Sequence, residues 1–408
     1  MIVLEFKART SQHQTSAIDE AIRTAQFIRN KCLRFWMDNK GTGKYDLNKL
    51  CRVLANDFPF AKQLNSMARQ ASAERAWSSI SRFYENCKQG IKPVGFPRFK
   101  KHSRSVEYKT SGWKLLSPKK IKFTDGFNIG ELRLIGTYDL ASYDESQIKR
   151  VRLVRRADGY YVQFCISVDV KIELEPTGNS IGIDVGLESF YTDNNGYKEP
   201  PEKFYRSSQK KRHRLQKRLS RTQKSSSNRR KAINHLARHE LKVSRQRKER
   251  AKRLALCVIQ SNDLVVYENL RIRNMVKNHC LAQSIHDAGW YQFRQWLEYF
   301  GKKYGKVTVA VEPAYTSQEC SDCGVLVKKS LSTRTHVCAC GCELDRDENA
   351  AINILRKGIA TTGHVGSGLL DSQNASGDEA ATVLNSGLMQ QVTSLKEESP
   401  AIPVGLAG

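Results

Sequence analysis

Residues 180–185, Ser-Ile-Gly-Ile-Asp-Val, decide the fold. Ile181, Ile183 and Val185 alternate with Ser180, Gly182 and Asp184, the period-two pattern of a strand. The acid stands near the strand's end, with Gly182 and Gly186 on either side. Moving outward, a second strand is expected from Leu187 to Thr192, ahead of a turn at Asp193–Gly196. Further strands are expected at Asp263–Tyr267 (DLVVY) and Val307–Val311 (VTVAV). Between these two, Trp290, Phe293, Leu297 and Phe300 recur at helical spacing. Strands interleaved with helices predict an α/β domain on a mixed sheet, covering residues 179–315.

Two more acids join Asp184. Glu268 follows directly on the apolar strand Leu264–Tyr267, and Asp347 lies in DRDENAA (345–351), where a helix running to about Arg356 is expected to begin. Taken singly, each has a structural explanation: a strand-end turn, a solvated glutamate, a helix cap. Together they suit the cleavage of a phosphodiester by two divalent ions, Mg²⁺ or Mn²⁺, which needs several converging carboxylates. Acids at neighbouring strand ends and on a helix across the sheet can converge in that way, as they do in the RNase H-like fold.

The charge points to the same substrate. Across 408 residues, 68 Lys and Arg stand against 41 Asp and Glu, a formal net charge of +27. Such a balance repels itself unless a polyanion is a routine partner. No apolar run approaches the roughly 18–20 residues of a membrane-spanning helix, and Glu5 and Lys7 fall too early for a signal peptide. A soluble protein of the cytoplasm is expected. The charge is concentrated in residues 203–253, where 21 Lys and Arg face only Glu240 and Glu249, a net +19. A sparse stripe of Leu215, Leu219, Ile233, Leu236 and Leu241 predicts two helices there, with a corner at Ser225–Ser227. This basic insert is expected to grip nucleic acid through its phosphates.

The length allows two to four domains. Residues 1–6 read as a strand. Residues 7–95 read as a helical domain, with Ile18, Ile22, Ala25 and Ile28 on one helix face and Trp77, Ile80, Tyr84 and Cys87 on another, ending at Gly90. Residues 96–178 read as an antiparallel barrel that takes in the opening strand, with a hairpin turn at Asp158-Gly159. Residues 344–360 return to the α/β domain. The stretch 361–408, rich in Gly, Ser and Ala and with Lys396 as its one basic residue, reads as a disordered tail.

Five of eleven cysteines crowd into residues 316–343. Cys320-x-x-Cys323 is followed, after 14 residues, by Cys338-x-Cys340-Gly341-Cys342. Two short cysteine turns at this separation bring four thiolates to one structural Zn²⁺. Cys338 and Cys340 are the expected second pair, because Gly341 suits a tight knuckle. Cys342 could replace either.

Taken in order, GIDVG (182–186), YENL (267–270), SIHDAGW (284–290), the cysteine cluster and DRDENAAINI (345–354) resemble TnpB, as does PVGFPRFK (93–100). TnpB proteins are transposon-encoded RNA-guided DNA nucleases regarded as ancestral to type V CRISPR effectors. The resemblance covers roughly residues 1–357. It implies a multidomain α+β protein: an N-terminal helical recognition domain, a wedge-like antiparallel β-barrel, an RNase H-like α/β RuvC nuclease domain with an inserted zinc ribbon that binds target nucleic acid, and the tail. It implies that Asp184, Glu268 and Asp347 are the RuvC triad, with Asp345 the less critical acid of its motif. It implies a guide RNA from the transposon end, pairing with double-stranded target DNA beside a short adjacent motif in a prokaryotic cell. Gln70, within Met67–Glu74, then becomes a candidate base contact, since glutamine suits adenine edges. Rival expectations are a small type V CRISPR nuclease, a nuclease-dead RNA-guided repressor and a strand-joining transposase.

Overall fold

The computed structural model describes residues 1–168, 172, 174–330 and 333–363. The expected tail lies, from residue 364 onward, outside the described residues. The chain divides into two compact units, residues 1–172 with 203–250, and residues 173–202 with 251–408.

The first unit begins with strand β1 (Ile2–Arg9), then helices α1 (Gln12–Asp38), α2 (Lys44–Asp57), α3 (Pro59–Gln63) and α4 (Ser66–Lys88). Helix α1 starts at a capping box, in which the Ser11 hydroxyl and Gln14 amide satisfy each other's backbone donors. Ile18, Ile22, Ala25 and Ile28 are all buried, as their spacing requires. In α4 only Ile80 of the expected stripe is fully buried, while Tyr84 and Cys87 are exposed. The α4 seam is made instead by small residues, Ala68, Ala71, Ala73 and Ala76, which let α1 and α2 approach closely.

Strands β2 (Ser105–Tyr108), β3 (Trp113–Ser117), β4 (Lys120–Phe123), β5 (Gly130–Ile135), β6 (Ile148–Arg156) and β7 (Gly159–Ile166) join β1 in one antiparallel sheet, in the order β2-β6-β7-β1-β5-β4-β3. This corrects the expected barrel. The edge strands β2 and β3 are joined by four residues, Lys109–Gly112, reaching at most about 14 Å, so the sheet must curl. Yet no ladder joins β2 to β3 among the described residues, and the sheet stays open. Closure is a matter of pairing between edges, which strand periodicity does not encode. The β6–β7 turn is also displaced by one residue: Arg156 pairs with Gly159, so Ala157 and Asp158 form the corner.

The basic insert forms α5 (Phe204–Ser220) and most of α6 (Ser227–Ser261), whose residues to Arg250 group with the first unit. Ser225, at φ +68°, makes the corner between them. Arg245 ties α6 to the β6–β7 corner, 2.7 Å from Asp158 and 2.8 Å from the Tyr161 hydroxyl, and Arg238 donates to the Ala157 carbonyl.

The second unit holds β8 (Ser180–Asp184), β9 (Tyr191–Asp193), β10 (Lys198–Glu199), β11 (Leu264–Glu268) and β12 (Val307–Val311) in the order β10-β9-β8-β11-β12. The sheet is mixed as expected: β8, β11 and β12 are parallel, while β9 pairs antiparallel with β8 on one side and with β10 on the other. The second strand is shorter than expected, because Leu187–Phe190 makes a bend before β9. Helices α7 (Ile272–Met275), α8 (His279–Ala288) and α9 (Trp290–Tyr304) follow β11. Gly289, at φ +73°, separates α8 from α9. Trp290, Phe293, Leu297 and Phe300 of α9 are buried. A small hairpin, β13 (Thr335–Val337) with β14 (Glu343–Asp345), leads into α10 (Arg346–Thr362). Among the described residues, no helix is long and apolar enough to cross a membrane.

Candidate active site

Asp184 and Glu268 are the last residues of β8 and β11, which are adjacent and parallel. Ile183 pairs with Tyr267, so the two acids stand level with each other at the strand ends. Residues two apart on a strand share a face, so Gly182 lies on the Asp184 face and Val266 on the Glu268 face. Helix α10 covers this face. A Cβ on Gly182 would collide with the Ala351 carbonyl and with Leu355, and one on Gly358 would collide with Val266. Glycine at both positions is what allows the helix to lie so close to the sheet. That approach brings Asp347, in the first turn of α10, to the acids on the strands.

The two aspartates of DRD have different roles. Asp345 is the helix cap, accepting from the backbone N–H of Asp347 at 2.9 Å and of Glu348 at 3.4 Å. Lys198 lies 2.7 Å from it and, with the cap bonds, holds its carboxyl below the ordinary range against the opposing effect of burial. Asp347 is thereby released from capping. Arg346 and Arg334 approach its carboxylate at 3.7 and 3.8 Å.

The electrostatics are those of crowded acids. Burial first, and then the charges of Glu268 and Asp347, push the Asp184 carboxyl well above its usual range. Burial raises Glu268 as well, opposed by a 2.6 Å hydrogen bond donated by the Thr316 hydroxyl and by the charge of Lys357. Among the described residues only cysteine-containing sets gather three or more donor atoms within 4.8 Å of one another, so the acids do not share one such shell.

Several positioning residues escaped the sequence reading. Asn349 and Asn353, one turn apart on α10, are both buried. Asn349 donates to the Glu319 carbonyl and accepts from the Ser321 N–H, while Asn353 donates to the Thr316 and Glu319 carbonyls at 3.0 and 2.7 Å. They hold the loop that carries Thr316 to Glu268 and leads into Cys320. One helix thus positions an acid, a loop and the start of the cysteine cluster. The available signal was two asparagines at i and i+4 beside Ala350, Ala351 and Ile354, where a solvated face would not be so apolar.

The Sγ atoms of Cys320, Cys323, Cys338 and Cys340 lie within 4.8 Å of one another. Both turns are closed by backbone bonds, Gly324 N–H to the Cys320 carbonyl at 3.0 Å and Gly341 N–H to the Cys338 carbonyl at 3.0 Å. Gly324 and Gly341 have φ of +75° and +93°, a region that favours glycine. Cys342 stands outside this set. It is buried and falls within 4.8 Å of Cys320 and His336 in a second set. Gln70 lies half-buried on α4 in the first unit, and its amide makes no hydrogen bond among the described residues.

Comparison with known proteins follows the same order along the chain. Residues 163–279 match the family model described as "Probable transposase", and residues 290–354 match the one described as "Cas12f1-like, TNB domain". A protein of Streptomyces pristinaespiralis named "Putative RNA-guided DNA endonuclease" is 28% identical over 313 residues, covering 75% of each chain. A protein of Escherichia coli K12 named "Putative RNA-guided DNA endonuclease InsQ" is 27% identical over 381 residues, covering 87% of this chain and 92% of its own. The "TnpB-like protein L79" of Acanthamoeba polyphaga mimivirus is 28% identical over 214 residues, 49% of this chain and 41% of its own. In sequence the chain is thus similar to proteins named as RNA-guided DNA endonucleases and as TnpB-like. The fold is shared with a cryo-EM structure named for a Cas12f1-sgRNA-target DNA complex, at a TM-score of 0.55 and 17% identity over 84% of this chain and 83% of the other.

Proposed function

We propose that this chain is an RNA-guided DNA endonuclease of a transposon. It binds a guide RNA from the transposon end, pairs it with double-stranded target DNA beside a short adjacent motif, and cuts that DNA with Asp184, Glu268 and Asp347. The observation that carries the reading is the convergence of these acids across β8, β11 and α10 (184, 268 and 347), made possible by Gly182 and Gly358. A buried acid pushed up further by the charges of neighbouring acids, as Asp184 is, fits a hard cation. Mg²⁺ or Mn²⁺, when bound by the three, supplies Lewis acidity and an activated water, and two ions suit acids spread beyond a single shell. Thr316 orients Glu268 through its hydroxyl, and Asp345 caps α10 so that Asp347 need not.

The RNase H-like, RuvC reading of the second unit rests on acids at adjacent ends of a mixed sheet and on a covering helix. We assign a structural Zn²⁺ to Cys320, Cys323, Cys338 and Cys340, whose set of four matches a closed tetrahedral site. The basic α5–α6 hairpin holds RNA or an RNA–DNA hybrid by its phosphates, sequence reading being left to base pairing. Gln70 is kept as a candidate contact to the adjacent motif.

Co-expression with the flanking transposon DNA, followed by sequencing of the co-purified RNA and challenge of a plasmid library randomised beside the target, tests the proposal. A depleted motif that disappears in Asp184→Ala supports it. Depletion that persists in Asp184→Ala moves the active site elsewhere, and joined rather than cut products would favour a transposase.

A further inference from the structure

The four-thiolate set already completes a tetrahedral zinc site, so Cys342 and His336 are surplus to it. Neither is placed like a bystander. Cys342 is 7% exposed and His336 and Cys320 are wholly buried, whereas Cys323 and Cys340 of the first set face solvent. The donor atoms of Cys320, His336 and Cys342 lie within 4.8 Å of one another. The hairpin fixes this: β13 carries His336, and just past its end the Cys338 N–H bond to the Cys342 carbonyl at 2.9 Å folds Cys342 back towards the strand.

His336 supplies the second observation. Its Nδ1 contacts the Lys329 amine, while its Nε2 is buried with no hydrogen-bond partner. A buried imidazole nitrogen without a partner is unusual in a folded protein. Here it lies in a buried trio with two sulfurs.

We propose that the lobe holds a second zinc ion between Cys320, His336 Nε2 and Cys342, with the Cys320 thiolate shared by both metal positions. Nitrogen and thiolate donors select zinc over the hard ions of the nuclease centre. Three protein donors, one of them shared, leave a coordination place open, so this ion binds more weakly than the first and exchanges more readily. The inference rests on the four-thiolate reading, and its test separates the two.

The full-length chain, in an Asp184→Ala background so that the carboxylate centre adds no zinc, is loaded with Zn²⁺, freed of loose metal, and counted by mass spectrometry of the metal per chain. Two equivalents are expected, falling to one in both Cys342→Ala and His336→Gln. Cadmium-substituted protein should give two resonances coupled through the shared sulfur, and only one in Cys342→Ala, a small substitution that leaves the first site closed. One equivalent in the parent, unchanged in Cys342→Ala, overturns the second position and leaves the first standing. No tightly held zinc in the parent overturns both. Two equivalents that survive both substitutions place the extra ion elsewhere and also overturn the proposal.

Discussion

Burying carboxylates side by side costs stability, a cost that the proposed chemistry of Asp184, Glu268 and Asp347 accounts for. Asp184 has no cation bonded to it among the described residues; burial and the charges of Glu268, Asp347 and Asp345 push it up, with the charge of Arg346 opposing them. Asp184→Asn should therefore abolish cleavage yet raise the thermal midpoint measured in chelator; a lowered midpoint would show that the aspartate is structurally required. Thr316→Val deletes the one hydroxyl bonded to Glu268. We expect cleavage to fall by about tenfold, the loss of about one hydrogen bond's worth of orientation, with RNA binding unchanged. In the first unit the opposite electrostatics hold. Burial pushes Glu107 up, but Arg75, Arg152 and Arg150 outweigh it and hold the carboxyl at about 2. A carboxylate depressed from an ordinary 4.5 to about 2 adds stability that is complete above pH 4.5 and lost as pH falls towards 2. The amount is about 3 kcal/mol. Unfolding followed from pH 6 to pH 2 should show this loss, and Glu107→Gln should flatten the profile while weakening the protein at neutral pH, because Arg75, Arg150 and Arg152 each lose a carboxylate beside them.

At the scale of elements, the packing of α10 on the sheet is the part most sensitive to one methyl group. Gly182→Ala forces the Ala351 backbone away from β8. The expected cost is about 1–3 kcal/mol, with cleavage lowered more than guide binding because Asp347 moves with the helix; unchanged cleavage would mean that this approach does not set the site. A second strap lies in the first unit. Gln26 and Asn30, one turn apart on α1, each pair with the backbone of the segment after PVGFPRF: Asn30 exchanges two bonds with Lys100 at 2.9 and 3.0 Å, and Gln26 donates to the Lys101 carbonyl and accepts from the Ser103 N–H. Strand β8 was legible because alternation ending in an acid has few other readings, and β11 and β12 because short runs rich in valine read as strands. The bend at Leu187–Phe190 was not, since Leu and Phe at its ends imitate a strand. Asp347 looked like a helix cap, but Asp345 does that work, and only the paired backbone bonds distinguish them. The asparagines of α10 were only half legible for a related reason: their apolar neighbours mark them as buried, but which loop they hold is not written in the helix.

At the scale of the whole molecule, charge has to be separated into what the fold uses and what it leaves for a partner. Arg212 pairs with Glu240, Arg229 with backbone carbonyls, and Arg238 and Arg245 with the β6–β7 corner. Lys210, Lys211, Arg214, Lys217, Arg218 and Arg221 along α5 are exposed instead. Changing these six to glutamine should weaken guide binding and flatten its dependence on salt, by about 0.7 in logarithmic slope for each phosphate of single-stranded RNA that is no longer neutralised. An unchanged slope would put the RNA elsewhere. The count of charges was readable from the sequence. Their division was not, because it depends on which corner of the sheet the helix meets.

The cleavage proposed for this chain turns on Asp184, Glu268 and Asp347 forming one divalent-metal nuclease centre. The decisive assay is cleavage of a matched target in Mg²⁺ by the purified RNA complex, with Asp184→Asn, Glu268→Gln and Asp347→Asn compared one by one. Each variant should keep guide and target binding and lose cutting by about a thousandfold or more, some 4 kcal/mol of barrier. Parental cutting by any one of the three would show that no such centre exists.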